Sequence, residues 1–140
     1  MVDPFDLTRF VQAQAPVIET VLAELKQGRK QTHWMWFVFP QVAGLGRSPT
    51  AQFFAISGLA EARAYLAHPI LGPRLLACTA LVNAVEGHSA HQIFGSPDDQ
   101  KFRSSMTLFA EAADEPEVFR TALAKYFGGE ADPETSRRLK

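Results

Sequence analysis

The stretch His33-Trp34-Met35-Trp36-Phe37-Val38-Phe39-Pro40 decides the fold class of this chain. It could form a short buried strand, but no second strand pattern occurs elsewhere in the 140 residues to pair with it. An isolated strand would leave its backbone N–H and C=O groups without partners. We therefore predict that residues 33–40 form an irregular or partly helical buried segment.

Outside this stretch, apolar residues recur at helical spacing. Four such stripes predict helices, and glycine follows three of them at positions 28, 87 and 128. The stripes consist of Val17, Ile18, Val21, Leu22 and Leu25; Leu71, Leu75, Cys78, Val82 and Val85; Phe102, Met106, Phe109 and Ala113; and Val118, Phe119, Leu123, Tyr126 and Phe127.

Helix starts are marked by a capping side chain directly before a proline. This pairing occurs at Asp3-Pro4, Ser48-Pro49, Ser96-Pro97 and Asp132-Pro133. The side-chain oxygen can accept from a first-turn N–H, and proline lacks the N–H that would go unpaired. Ser57 and Ser89 are predicted to cap two shorter helices. The pattern predicts an all-α fold of about seven helices, with one domain over residues 3–132 and a partly helical tail over 133–140.

Composition narrows the classes of function. The net charge is −1 and the pI about 6.4, which is too balanced for a protein whose main partner is nucleic acid or an anionic membrane. The single cysteine, Cys78, excludes a disulfide within the chain, and it lies in an apolar helical stripe, as a buried inert thiol does. His88 and His91 have no third ligand close in sequence, so we predict no metal site.

Targeting signals are not evident in the sequence. The first ten residues lack the basic and apolar regions of a signal peptide, and the longest apolar run, Met35 to Pro40, is too short to span a bilayer. We expect a cytoplasmic protein.

The loop Gly44-Leu45-Gly46-Arg47-Ser48-Pro49 is the first candidate for ligand binding. Its glycines permit close backbone approach, and Arg47 could fork onto two phosphate oxygens beside a helix that begins after Ser48. The lysine and spacing of a phosphate-binding Walker loop are missing. The alternative interpretation is a flexible loop with an ordinary cap and a surface arginine.

A second candidate follows Gly95-Ser96-Pro97, where Asp99, Lys101 and Arg103 crowd two helical turns. A polar face this mixed could line a site, with Asp99 as its acid. The alternative is a solvated face with local ion pairs, each contributing under ~1 kcal/mol.

The aromatic stretch is the third candidate. Trp34 and Trp36 could stack on a planar ring, His33 could act as a general acid or base, and Gln41 follows as a polar lip. Equally, the tryptophans could be core residues whose indole N–H groups are hydrogen-bonded internally. No nucleophile elbow or triad signature occurs, so catalysis and any cofactor stay undetermined.

Four long strings together resemble a known family. They are DPFDLTRFVQAQ, HWMWFVFPQ, GLGRSP and IFGSPDDQKFRSSMTLF, and the resemblance runs from about Asp3 to Asp132. They are similar to the bacterial and fungal family numbered 1810 among domains of unknown function. The resemblance implies a mostly helical single domain and no established activity. Members are often labelled calpastatin, but that inhibitor is largely disordered and low in aromatics, whereas this chain has 11 Phe.

Two functional hypotheses follow. In the first, residues 33–41, 44–49 and 95–105 converge to form an aromatic and basic cleft for a small anionic ligand, such as a nucleotide or phosphate. Its binding residues are Trp34, Trp36, Gln41, Arg47, Ser48, Lys101 and Arg103, and His33 or Asp99 would transfer any proton. In the second, the chain is a helical protein-interaction module without catalysis, presenting an exposed patch that contains Trp34, Phe53 or Phe54.

Overall fold

The computed structural model describes residues 3–140 and contains ten helices within that range. The predicted all-α class is confirmed, but about seven helices is too few. Five of the ten span seven residues or fewer, which is too short for a periodic apolar pattern to stand out. The helices are α1 (Thr8–Gln14), α2 (Ile18–Lys26), α3 (Met35–Val38), α4 (Pro49–Phe53), α5 (Leu59–Ala67), α6 (Leu71–Ala84), α7 (Ala90–Phe94), α8 (Asp98–Ala112), α9 (Glu117–Phe127) and α10 (Pro133–Arg138).

Three of the predicted caps are confirmed. Ser48 accepts from the Ala51 amide, Asp132 accepts from the Thr135 amide, and Ser89 forms a complete capping box. The caps predicted at Ser57 and Ser96 are wrong. The residue before α5 is Gly58, and α8 begins at Asp98, where the Gly95 carbonyl accepts from the Asp99 amide instead of a serine side chain.

The core forms around α8, which packs against α5, α7, α9 and α10. The stretch 33–40 contributes the single helical turn α3 and two fully buried aromatic side chains, Trp34 and Phe39. The Phe39 ring packs edge-to-face on Phe102, with ring centroids 5.0 Å apart. The backbone of residues 33–40 therefore forms one helical turn flanked by loops. Within residues 3–140, the one β feature is an isolated parallel bridge between Val42 and Ile56.

The C-terminal segment is integrated into this core. The Thr135 side chain is fully buried, and the Asp132 amide donates to the Thr107 hydroxyl across 2.8 Å. Arg103 donates to the Glu130 and Ala131 carbonyls at 3.0 and 2.9 Å. These contacts hold α10 against α8.

Helix α6 is apolar on both of its faces. One face is buried against α2, α5 and α9 through Leu71, Leu75, Cys78 and Val82. The opposite face is exposed and carries Pro73, Leu76, Ala77, Ala80 and Ala84. In the described range no single helix has the length and apolarity to cross a membrane; α5 and α6, bent by 90° relative to each other, meet that test only as a pair.

Candidate functional site

The aromatic stretch is positioned by one buried carboxylate. Glu24, near the end of α2, accepts hydrogen bonds from the Gln31 and Thr32 amides, the Thr32 hydroxyl and the Trp34 indole N–H, at 2.6–3.0 Å. Burial alone would raise the pKa of Glu24, but these four donors outweigh burial and hold that pKa below its ordinary value. The loop that enters α3 is thus folded around a charged acceptor.

A second carboxylate joins this loop to the start of α8. Asp98 Oδ2 lies 2.9 Å from Lys30 Nζ, and Asp98 Oδ1 lies 3.6 Å from Lys101 Nζ. The Lys30 side chain is only 8% exposed, and that of Lys101 is 25% exposed. Because two ammonium groups share one carboxylate, the cluster keeps one net positive charge.

Each of these lysines lies over one tryptophan. Lys30 Nζ is 5.3 Å from the centre of the Trp34 ring system, and Lys101 Nζ is 5.5 Å from that of Trp36. Both distances are within cation–π range. Trp34 is 1% exposed, so its ring faces are closed, whereas Trp36 is half-buried. Trp36 is therefore the tryptophan that a ligand can reach.

Trp36 also lines a narrow cleft together with Gln41, Gly46 and Phe54. Its volume of about 20 Å³ is room for roughly one water molecule. The cleft cannot enclose a nucleotide in this conformation, so a larger ligand would lie across its mouth. Gln41, Gly46 and Lys101 lie next to Trp36, and they come from the predicted segments 33–41, 44–49 and 95–105, respectively.

Arg47 and Ser48 lie beside this cleft on the exposed loop before α4. The Arg47 guanidinium has no hydrogen-bond or ion-pair partner within residues 3–140, while its carbonyl accepts from the Gln52 side chain at 2.9 Å. The Ser48 hydroxyl accepts from the Ala51 amide. Arg47 is consequently a free cation, and Ser48 is engaged in capping.

The other predicted site residues, Arg103, Asp99 and His33, do not line the cleft. The Arg103 guanidinium is bound to carbonyls of the loop after α9. Asp99 faces α7, with its Oδ2 3.4 Å from His91 Nδ1. His33 is exposed, and no hydrogen bond or ion pair joins it to Asp99 in the part of the chain described. No group of three or more His, Cys, Asp or Glu side chains in residues 3–140 could hold a metal ion.

Sequence reasoning missed Glu24 and Lys30 as parts of this site. Both lie outside the aromatic stretch. Lys30 and its partner Asp98 are 68 positions apart, whereas the partners of Glu24 lie 7 to 10 positions after it. A weak signal was available for Glu24, because a buried indole N–H needs an acceptor. Nothing local pointed to Lys30.

A much larger cavity lies elsewhere, in an open groove of about 790 Å³ between α8 and α9. Its charged lining residues are Glu111, Asp114, Glu117 and Arg120. Three carboxylates against one guanidinium disfavour an anion there. The groove is therefore a poor match for the ligand class that the sequence predicts.

Comparison with known proteins supports the fold and names no activity. A family model described as "Protein of unknown function (DUF1810)" matches residues 4–139. The chain is similar to the conserved hypothetical protein Rv1873 from Mycobacterium tuberculosis, whose crystal structure superimposes with a TM-score of 0.97 at 60% sequence identity, covering 98% of each chain. A search of curated proteins finds no match.

Proposed function

Because this chain belongs to the DUF1810 family of proteins of unknown function, its role has to be argued from its own geometry, and we propose that it binds a small planar anion against Trp36. The observation that carries this proposal is the Lys101 ammonium 5.5 Å from the centre of the Trp36 ring system, because Trp36 also lines the cleft with Gln41 and Gly46. A cation and a ring side by side suit a ligand that has both an aromatic and an anionic part, as a nucleotide has.

Each residue of this site has a distinct role in the proposal. Trp36 stacks on the ring of the ligand, Lys101 and Arg47 attract its negative groups, and Gln41 hydrogen-bonds to its edge. The surplus positive charge of the Lys30–Asp98–Lys101 cluster favours an anion over a neutral ligand. His33 and Asp99 stay candidates for proton transfer, and the proposal itself requires binding only.

A titration monitored by tryptophan fluorescence tests this proposal. The probes are AMP, ADP and inorganic phosphate, and a ring stacked on Trp36 should quench its emission, which phosphate alone should not do. Thermal shift provides a second readout, since a ligand at 100 times its Kd stabilises the folded chain by about 2.7 kcal/mol. Trp36→Leu and Lys101→Met should each weaken binding about tenfold or more, and Arg47→Ala should weaken it less because Arg47 is exposed.

Arg63→Ala is the matched control, because Arg63 is an exposed arginine on α5 that does not line the cleft. It should leave the affinity unchanged. The proposal fails if all probes are silent at millimolar concentration. It also fails if a bound nucleotide is unaffected by Trp36→Leu, or is lost instead on substitution of Glu111 in the α8–α9 groove.

A protein-interaction module is the second candidate function, and one observation favours it. Phe53, on α4, is 57% exposed and packs edge-to-face on Phe54, with ring centroids 4.8 Å apart. An exposed aromatic side chain supported by a second ring is a typical interface anchor. Trp34 gives this candidate no support, because it is buried. Phe53→Ser, compared with Gln52→Ser as control, should abolish binding to a protein partner while leaving the nucleotide titration unchanged.

A further inference from the structure

The exposed face of α6 is apolar along the whole helix, and we propose that it is a contact surface for a second copy of this chain. The face carries Pro73, Leu76, Ala77, Ala80 and Ala84, and Ile70 extends it at the N-terminal end. Leu76 is 44% exposed and Ile70 is 41% exposed; in the described range only Phe53 is a more exposed large hydrophobic side chain. A helix that is hydrophobic all round is normally buried on both sides.

The charge of this face suits an identical face. Across a twofold axis, each side chain near the axis meets its own counterpart, so a charged side chain there would repel its copy. The five exposed positions of α6 carry no charge. One cation, Arg74, and one polar residue, Asn83, lie at the edges of the face, and they donate to Gln14 and to the Val118 carbonyl of their own chain.

The order of side-chain sizes along α6 also suits a twofold pairing. If two copies of α6 pack antiparallel with the axis at Ala77, Ile70 of one copy lies opposite Ala84 of the other, because both are seven positions from Ala77. A large side chain thus meets a small one at both ends of the contact. The small side chains of Ala77 and Ala80 let the helix backbones approach closely, while Leu76 fills the space beside the axis.

The size of the face predicts a weak dimer. A helix of 14 residues is about 21 Å long and about 10 Å wide. Such a face buries less than the roughly 800 Å² per partner of a standard stable interface. We therefore expect dimers at high protein concentration and monomers when dilute.

Sedimentation velocity of the full chain from roughly 10 µM to 1 mM, the range of weak association, tests the proposal. The wild type should shift from monomer to dimer across this range. Ala77→Glu and Ala77→Arg should each weaken the dimer at least about tenfold, because like charges then meet on the axis. An equimolar mixture of the two variants should restore association, since glutamate of one copy then meets arginine of the other.

Ala124→Glu, at an exposed position of α9, is the matched control and should leave the dimer unchanged. Circular dichroism of each variant verifies that it is folded. A wild-type chain that stays monomeric to about 1 mM overturns the proposal, even if the same face binds lipid vesicles or another protein. So does a dimer that survives Ala77→Glu, or a mixture of the two charged variants that fails to associate.

Discussion

The Trp34 indole nitrogen donates a hydrogen bond to Glu24 Oε1 across 3.0 Å, and both side chains are buried. This contact fixes the buried end of the aromatic stretch to α2. It also distinguishes the two tryptophans by burial, because Trp34 is held in the interior while Trp36, two positions later, reaches the surface.

Replacement of Glu24 by alanine should destabilise the fold by about 3 kcal/mol, because four donors lose one charged acceptor and those that are buried stay unsatisfied. Urea unfolding monitored by circular dichroism measures the change. Glu19→Ala, at an exposed position on the same helix, should stay within about 0.5 kcal/mol of the wild type. A loss below about 1 kcal/mol for Glu24→Ala would contradict this role.

The same carboxylate should make stability depend on pH. The pKa of Glu24 is lower in the folded chain than in the unfolded one, so its contribution is complete above the unfolded value of about 4.3 and is lost as the pH falls through the folded value. The difference in unfolding free energy between the wild type and Glu24→Gln should therefore shrink below about pH 4.3. Taking this difference cancels the effect of Asp3, whose pKa is lowered by hydrogen bonds from the Leu7 and Thr8 amides. A difference that is constant from pH 7 to pH 3 would exclude Glu24 as the source.

Gly72→Ala should be strongly destabilising, by about 2 kcal/mol or more, because an added Cβ would lie 2.1 Å from the Leu66 carbonyl oxygen. Gly72 occupies the first turn of α6, where the chain turns from α5. Gly58→Ala is the matched control, since a Cβ there meets nothing within 4 Å and its φ of 166° is extended backbone. Thermal unfolding of the two variants compares them, and equal melting temperatures would refute the close approach of α5 and α6.

Cys78 should react with thiol reagents only when the chain unfolds. It is 1% exposed, and burial raises the pKa of its thiol to about 12. Labelling of the native chain should be at least about 1,000-fold slower than in denaturant, and the rate should rise with urea as the unfolded population rises. Ala124→Cys in a Cys78→Ala background provides an exposed thiol that should react at once. Equally fast labelling at both positions would show that the α6 side of the core opens locally.

Asp98→Asn should strengthen anion binding at Trp36 about threefold to tenfold, because Lys30 and Lys101 then lose the carboxylate that neutralises one of them. The fluorescence titration with ADP measures this change at low salt, where charge effects are largest. Asp99→Asn is the control, because Asp99 pairs with His91 on α7. Weaker binding in Asp98→Asn, with the fold intact, would mean that Asp98 positions the lysines for the ligand instead of competing with it.

A helix start could be predicted from the sequence where the capping side chain accepts a hydrogen bond from the first turn of its own helix. Ser48, Ser89 and Asp132 each accept from the amide three residues later, so their sequence neighbourhood contains the whole interaction. At Ser96 the same pattern failed because a backbone carbonyl, that of Gly95, took the place of the side chain. Short helices such as α3 depend on tertiary contacts, and their number could not be predicted from periodicity.

The residue types of the candidate site could be predicted from the sequence, but the contacts between these side chains could not. Trp36, Gln41, Lys101 and Arg47 were chosen for aromatic, polar or cationic chemistry. The structure brings Lys101 over Trp36 and brings Gln41 beside it, but it directs Arg103 to the loop after α9. Lys101 and Arg103 are two positions apart and therefore lie on opposite sides of α8, but this spacing alone does not decide which of the two faces the ring. That choice depends on α9 and on the segment 128–132, which lie far along the chain.

The hydrogen bonds between α8 and residues 130–132 also affect how the chain folds during its synthesis. Arg103 donates to the carbonyls of residues 130 and 131, Ser104 donates to the Asp132 carboxylate, and the Thr107 hydroxyl accepts from the Asp132 amide. Residues 130–132 come after α8 along the chain, so α8 cannot complete its packing while they are still untranslated. A nascent chain stalled before Ala131 should therefore be a better client for chaperones than the finished protein.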